Sequence, residues 1–160
     1  MTFDVQNTQQ YHNAKPFELI AQRIIMHAYN VQVIEDDDTP GRTNHAEYDF
    51  RTSDQITYEV KRDSRSIETG NFYIKFSQRF KEQANWIEAG LYVTKADYYM
   101  ITFGNNFYKI QTDIIIELLI ADTYPIVRSP TKRGDFTRGF LLPVKLVKPF
   151  AEVYSISGFE

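Results

Sequence analysis

At 160 residues, with 42% hydrophobic and 24% charged residues, the chain has the size and balance of one folded domain with a real core, which excludes long disordered regions. A net charge of −3 and a pI of about 5.6 exclude a protein that coats nucleic acid through bulk electrostatics. With no cysteine there is neither a disulfide framework nor Cys-ligated zinc, and residues 1–6 lack the basic start and apolar stretch of a signal peptide, so an intracellular, cytoplasmic protein is expected.

Residues 1–14 are polar and aperiodic and read as a loose lead-in, leaving 15–160 as the folded domain. Pro16 suits a first helical turn, and Phe17, Ile20, Ile24 and Ala28 recur at helical spacing, so a helix is predicted over 16–29. Residues 31–34 predict a short edge strand, followed by the acidic run Glu35, Asp36, Asp37, Asp38 and the turn Thr39-Pro40-Gly41. Apolar-patterned runs at 46–51 and 55–62, separated by Thr52-Ser53-Asp54, predict an antiparallel hairpin. Beyond it, 71–76 has strand propensity, and 77–89 predicts a short helix carrying Trp86 and ended by Gly90. A strand over 97–103 turns at Gly104-Asn105-Asn106 into another over 107–111. Thr112 is the predicted N-cap of a helix through Ala121, with Asp113 near its positive end. That stretch holds the most apolar run, yet Glu117 interrupts it and it is too short to span a bilayer, so no membrane contact is expected. Pro and Gly at 125, 130, 134 and 139 mark an exposed loop before a final strand over 140–144. The order predicts an α/β (α+β) fold: a single domain with a mixed central β-sheet flanked by helices.

The chemistry concentrates in the hairpin. Strand side chains alternate, so Glu59 and Lys61 emerge on one face and Tyr58 and Val60 on the other, while Asp49 stands across the turn. Two carboxylates can hold a hard divalent cation, and a nearby ammonium can orient or activate a water. The plain alternative is three charges on the wet side of an ordinary hairpin, because an Asp followed by Glu-X-Lys is short and common. Basic residues follow the hairpin (Lys61, Arg62, Arg65, Lys75, Arg79, Lys81) and recur near the C-terminus (Arg128, Lys132, Arg133, Arg138, Lys145, Lys148), which is either a basic groove beside an acidic site or a solvated surface.

In these residues the chain resembles the PD-(D/E)XK nuclease superfamily, in particular its small phage and mobile-element members, which include Holliday-junction resolvases and homing endonucleases. The resemblance spans residues 17–147 and rests on Phe17-Glu18-Leu19-Ile20-Ala21, Tyr48-Asp49-Phe50, Glu59-Val60-Lys61-Arg62-Asp63, residues 68–74, residues 90–99 and Phe107-Tyr108-Lys109-Ile110. It implies a restriction-endonuclease-like domain that hydrolyses DNA phosphodiester bonds with Mg2+, Mn2+ serving as a substitute. It also implies that Asp49, Glu59 and the backbone carbonyl of Val60 hold the metal, that Lys61 sits beside the nucleophilic water, and that Glu18 supplies an additional acid. DNA contacts are implied at Arg62, Arg65, Asn71, Lys75, Thr94 and Lys95, and a homodimer is the expected assembly. Two features depart from the pattern: Lys75 follows Tyr73-Ile74 where relatives often carry an acid, and the segment 77–89 is longer than a simple turn.

Other chemistries have less support. His12, His27 and His45 lack zinc or H-N-H spacing, and no phosphate-binding glycine loop or hydrolase elbow is present. Most of the 12 Phe and 11 Tyr fall in apolar-periodic segments and read as core, with Tyr92, Tyr98 and Tyr99 as the exceptions to check for base stacking. Three functions stay open: a DNA endonuclease selective for structure or sequence, a nuclease-fold DNA-binding module without turnover, and a protein-interaction factor using the acidic run at 35–38.

Overall fold

The hairpin at 46–62 is the seed of the main sheet. A computed structural model describes residues 9–82, 84–131 and 134–160, with side chains from residue 15 onward. Strands β1 (Val33–Glu35), β2 (Phe50–Thr52) and β3 (Thr57–Lys61) pair antiparallel in sequence order. Past β3 come a short helix α2 (Ser66–Thr69), β4 (Asn71–Arg79) and β5 (Ile87–Glu88). Strand β6 (Tyr98–Phe103) then returns to the first sheet, parallel to β3, with Glu59 opposite Tyr99 and Lys61 opposite Ile101. The parallel junction is pinned by Asp97, whose Oδ2 accepts from the Thr57 backbone N–H at 2.9 Å and from its hydroxyl at 3.0 Å. Strand β7 (Asn106–Gln111) follows through the Gly104-Asn105 turn, with Gly104 at φ +58°, a left-handed conformation that glycine adopts without strain.

After β7 come α3 (Thr112–Ala121), β8 (Ile126–Pro130), β9 (Phe136–Pro143), α4 (Val144–Val147) and β10 (Glu152–Ser155). Helix α1 (Gln9–Tyr29) precedes them all. The six-stranded mixed sheet has the order β1-β2-β3-β6-β7-β10, and an antiparallel sheet has the order β5-β4-β9-β8. The fold is therefore α/β in one domain, with a mixed central sheet flanked by helices.

Strand alternation assigns the layers. Ile20, Ala21, Ile24 and Ile25 of α1 pack with Phe50, Tyr58, Met100 and Phe107 on one face of the main sheet. Tyr99, Ile101, Tyr108 and Ile110 point the other way, onto Phe72 and Ile74 of β4, Leu142 of β9, Ile115 of α3, and Val144 and Val147 of α4. Each large side chain buried this way contributes roughly 1.5–3 kcal/mol, so the two clusters decide the layering. Glu59, paired with Tyr99, emerges on the face of the second sheet.

Five expectations are corrected. Helix α1 begins at Gln9, upstream of Pro16, so 9–14 are helical rather than a loose lead-in, while 1–8 lie outside the described residues. The described residues of 77–89 form no helix: β4 continues to Arg79, paired to Phe136 of β9, and Ile87–Glu88 returns as β5 opposite Ser77 and Gln78. The Pro- and Gly-marked stretch is largely the β8–β9 hairpin. There Gly139 makes room for Tyr73, because a Cβ at 139 would lie 2.5 Å from that ring and 2.9 Å from the Ile74 carbonyl oxygen. The last strand is β10 rather than 140–144, and Thr112 is the first helical residue of α3 instead of its cap, its hydroxyl donating to the Ala96 carbonyl at 2.7 Å.

Candidate active site

Asp49 enters the sheet one residue before β2, and two backbone bonds fix it: its N–H donates to the Tyr58 carbonyl at 2.8 Å, and its Oδ2 accepts from the Val60 N–H at 2.6 Å. One carboxylate is thereby tied to the strand that carries Glu59 and Lys61. Those two meet directly, Lys61 Nζ lying 2.6 Å from Glu59 Oε1. Glu59 is buried at 7% exposure, whereas the Lys61 side chain is 38% exposed, so the pair opens to solvent at its lysine end. Thr94 approaches from the other side, its one hydroxyl proton shared between the Glu47 carbonyl at 3.0 Å and Glu59 Oε2 at 3.4 Å.

On the α1 side, carboxylate oxygens of Glu18, Asp37 and Asp49 lie within 4.8 Å of one another. Glu18 is buried on the helix, and Lys15 reaches it at 3.5 Å. Asp37 was not singled out from the sequence. It arrives because β1 and β2 pair antiparallel, which folds the 36–49 loop back and returns the acidic run to Asp49. Asp49 is thus the hub between a carboxylate cluster and the Glu59–Lys61 pair.

Electrostatics reflect this crowding. Burial, reinforced by Asp49 and Asp37, pushes the Glu18 carboxyl up to about 9, against a partial opposing pull from Lys15. Burial and then Glu59 push Asp49 up to about 8, although Lys61 and the Val60 N–H favour its charged form. Burial pulls the Lys61 ammonium down, but Glu59 and Asp49 outweigh it and hold it above the usual lysine range. Lys61 is therefore a fixed cation near neutral pH.

For Glu18 and Asp49 the folded value exceeds the ordinary ones of 4.5 and 3.8, so between those values and about 9 and 8 the folded chain holds more protons than the unfolded chain. Stability must then fall as pH rises through that window and level off above it. At the acid end Glu35, held low by the Tyr48 hydroxyl, and Glu152, held low by the Tyr154 and Tyr29 hydroxyls, act in the opposite sense. Urea melts at about pH 5, 7 and 9 should show the weakest fold at the highest pH, and Glu18→Gln should flatten the trend; a profile that rises steadily with pH would contradict the crowding.

Arg42 is the second residue missed from sequence. Its side chain is fully enclosed, its Nη1 donates to the Asp49 carbonyl at 2.8 Å and lies 3.2 Å from Asp37 Oδ1, and its Nη2 donates to the Tyr48 carbonyl. Nε donates to Asn44 Oδ1 at 2.9 Å, and the guanidinium lies 4.7 Å from the centre of the Tyr48 ring. His45 adds a contact to Asp37 at 2.9 Å. This guanidinium ties the Asp37 carboxylate to the backbone at Asp49. Arg42→Ala leaves its carboxylate and carbonyl partners without a cation, so a loss of about 3–5 kcal/mol in a urea titration is expected. Arg42→Lys should recover little of it, because an ammonium lacks the planar fork.

The other sequence candidates are scattered. Arg62 and Arg65 are exposed just past Lys61, Arg62 with its guanidinium 4.8 Å from the centre of the Phe17 ring. Asn71 bonds to the Thr69 carbonyl, Lys75 to Gln78 Oε1 at 3.4 Å, and Lys95 pairs with Glu47 at 3.0 Å. Among the three tyrosines, Tyr99 is 2% exposed and belongs to the core, Tyr98 covers Lys109, and Tyr92 stands 53% exposed. A cavity of about 410 Å³ beside α3 is lined by Thr94, Lys95, Asp97, Tyr98 and neighbours, and none of Glu18, Asp49, Glu59 or Lys61 lines it.

No family model matches the chain, and no curated protein or solved structure matches it either. Any function must be argued from the site alone.

Proposed function

We propose that this protein is a Mg2+-dependent DNA endonuclease of the PD-(D/E)XK kind. The observation that carries the reading is the convergence on Asp49 of Glu18 and Asp37 from one side and Glu59 with Lys61 from the other. The donor set fits a hard cation: every side-chain ligand on offer is a carboxylate oxygen, and Asp49 and Asp37 lie close enough to Glu18 to raise its proton affinity. Asp49, Glu18 and Asp37 would hold the ion, with Glu59 and the Val60 carbonyl on the adjoining strand.

A bound magnesium ion supplies Lewis-acid neutralisation of the phosphoryl oxygens and lowers the pKa of a coordinated water. The chain's own groups divide the remaining work. Lys61, a fixed cation, orients the attacking water and offsets charge developing on the phosphate, and it does not act as a proton acceptor. Glu59, anchored by Lys61 and the Thr94 hydroxyl, holds the ammonium in place. Water adds to phosphorus as the bond to the 3′ oxygen breaks; the water gives up a proton to solvent and the departing 3′ oxygen takes one from solvent, leaving a 5′-phosphate and a 3′-hydroxyl. Because one such site cuts one strand, a homodimer is the assembly we propose for double-strand cleavage.

The deciding experiment is nicking of supercoiled plasmid and of a four-way junction with and without Mg2+. Divalent-dependent cutting of either supports the reading, and the preferred substrate separates sequence from structure selectivity. If neither is cut while a gel shift persists in EDTA, the chain is a binding module and the endonuclease reading is wrong.

A further inference from the structure

The second sheet carries a surface of a different kind. Strand alternation places Phe136, Arg138, Phe140 and Leu142 of β9 on one face, and cross-strand pairing adds Arg128 opposite Arg138 and Arg79 opposite Phe136. At the Leu142 end this face packs on the core; at the Phe136 end it becomes an alternation of guanidinium and ring. Arg128 lies 3.9 Å from the centre of Phe136, Arg79 lies 5.4 Å from Phe136 and 4.7 Å from Trp86, and Arg138 lies 4.0 Å from Trp86. Rings covering the guanidinium faces leave hydrogen bonding to the guanidinium edges, which is the geometry that accepts a phosphate bidentately.

The array carries more positive charge than its neighbours offset. Arg128 and Arg138 are directly opposed across the β8–β9 ladder, where like charges destabilise the pairing. Among the described residues, the polar partner found for Arg138 is the Ser77 hydroxyl at 3.1 Å, and its buried Nε has none. Glu82 is the carboxylate that approaches the array, 2.5 Å from Arg128 and 3.0 Å from Arg79, and it is itself largely exposed. The array also reaches the acids through a short chain of contacts. Arg138 lies over Phe76, Phe76 meets exposed Tyr92 at 5.3 Å between ring centres, and Thr94, two residues on, bonds to Glu59. Gly90, at φ +52°, allows the turn carrying Tyr92 to lie against β4, since a Cβ there would run into the Lys75 carbonyl.

We propose that Arg128 and Arg138, stacked against Phe136 and Trp86, bind successive backbone phosphates of a nucleic-acid strand whose scissile bond lies at the Asp49 site. The occupant rests on the endonuclease reading, but the anion site is judged separately. Glu82 stands in for a phosphate and is displaced when the strand binds.

The test is fluorescence anisotropy with labelled single-stranded and duplex oligonucleotides, in EDTA so that turnover plays no part. The Arg128→Gln/Arg138→Gln double variant should bind about tenfold or more weakly at about 0.1 M salt, and the slope of log affinity against log salt should shrink by about 2 on duplex and about 1.4 on single strands. Glu82→Gln should bind more tightly than the wild type. The manganese-induced thermal shift at the acid site should be unchanged in the double variant, which separates a lost phosphate contact from a damaged fold. Unaltered affinity and salt slope on both probes would overturn the proposal, as would a wild-type protein that binds neither. Binding lost in the double variant of a protein that never cuts DNA would retain the phosphate row and remove only the nuclease.

Discussion

Asp49→Ala should lose magnesium-dependent plasmid nicking by about 10³-fold or more while melting no lower than the wild type in metal-free buffer near pH 8. The rate loss is at least that of deleting a single transition-state donor, about 10²–10³-fold, because Asp49 joins both halves of the site. The stability side is the more discriminating. In the wild type this carboxyl is buried beside Glu59 and near Glu18, which holds its pKa up at about 8, so removing it relieves repulsion rather than core packing. Against that stands the Val60 N–H, which loses its 2.6 Å acceptor at a cost of about 1 kcal/mol, a loss that Asp49→Asn avoids by keeping an amide oxygen there. Mn2+ should raise the melting temperature of the wild type, and the variant should lose most of that rise. Nicking assays paired with thermal melts in EDTA and in Mn2+ read all three outcomes. Wild-type cutting by Asp49→Ala would remove this residue from the chemistry, and an unchanged manganese response would remove it from the cation site.

Lys61→Ala should lose cleavage by about 10²–10³-fold while DNA affinity in EDTA changes little. An ammonium kept charged by Glu59 and Asp49 contributes by position and field, and one half-buried cation would be a small part of the proposed phosphate-contacting surface. Its loss also frees Glu59 from the 2.6 Å ion pair, so Lys61→Ala should bind Mn2+ at least as well as the wild type, which separates this variant from Asp49→Ala. Single-turnover rates, anisotropy and manganese thermal shifts measured on one preparation would resolve the three effects. A normal turnover rate would take the lysine out of the mechanism.

The neighbourhood of these two residues shows how far sequence reading reaches. The pairing of Glu59 with Lys61 is a matter of strand period, so it was legible from four consecutive residues. Asp49 stood out as the acid across the hairpin turn from Glu59, whereas Glu18 was singled out through a family resemblance, which no composition or spacing rule supplies. Asp37 and Arg42 lie in a loop between two strands, where no periodicity says which of four successive acids turns inward or which arginine becomes enclosed. The mistaken helix at 77–89 has the same origin. Ser77 to Arg79 lack an apolar stripe, and what makes them strand is the long pairing of β4 with β9, a partner about sixty residues away.

By itself the sequence determined what is local: the first helix's apolar stripe, the hairpin and its face alternation, the Gly104 turn, the apolar α3 helix, and the absence of thiol chemistry. Those follow from backbone sterics and residue period, which act over a few neighbours. Only the tertiary structure decided that β4, β5, β8 and β9 leave the main sheet to form a second one, that Asp37 and Arg42 join the acids, and that Trp86 lies between two arginines. Those depend on which distant strand satisfies which backbone hydrogen bonds and which apolar face is left to cover, and that competition is settled across the whole chain at once.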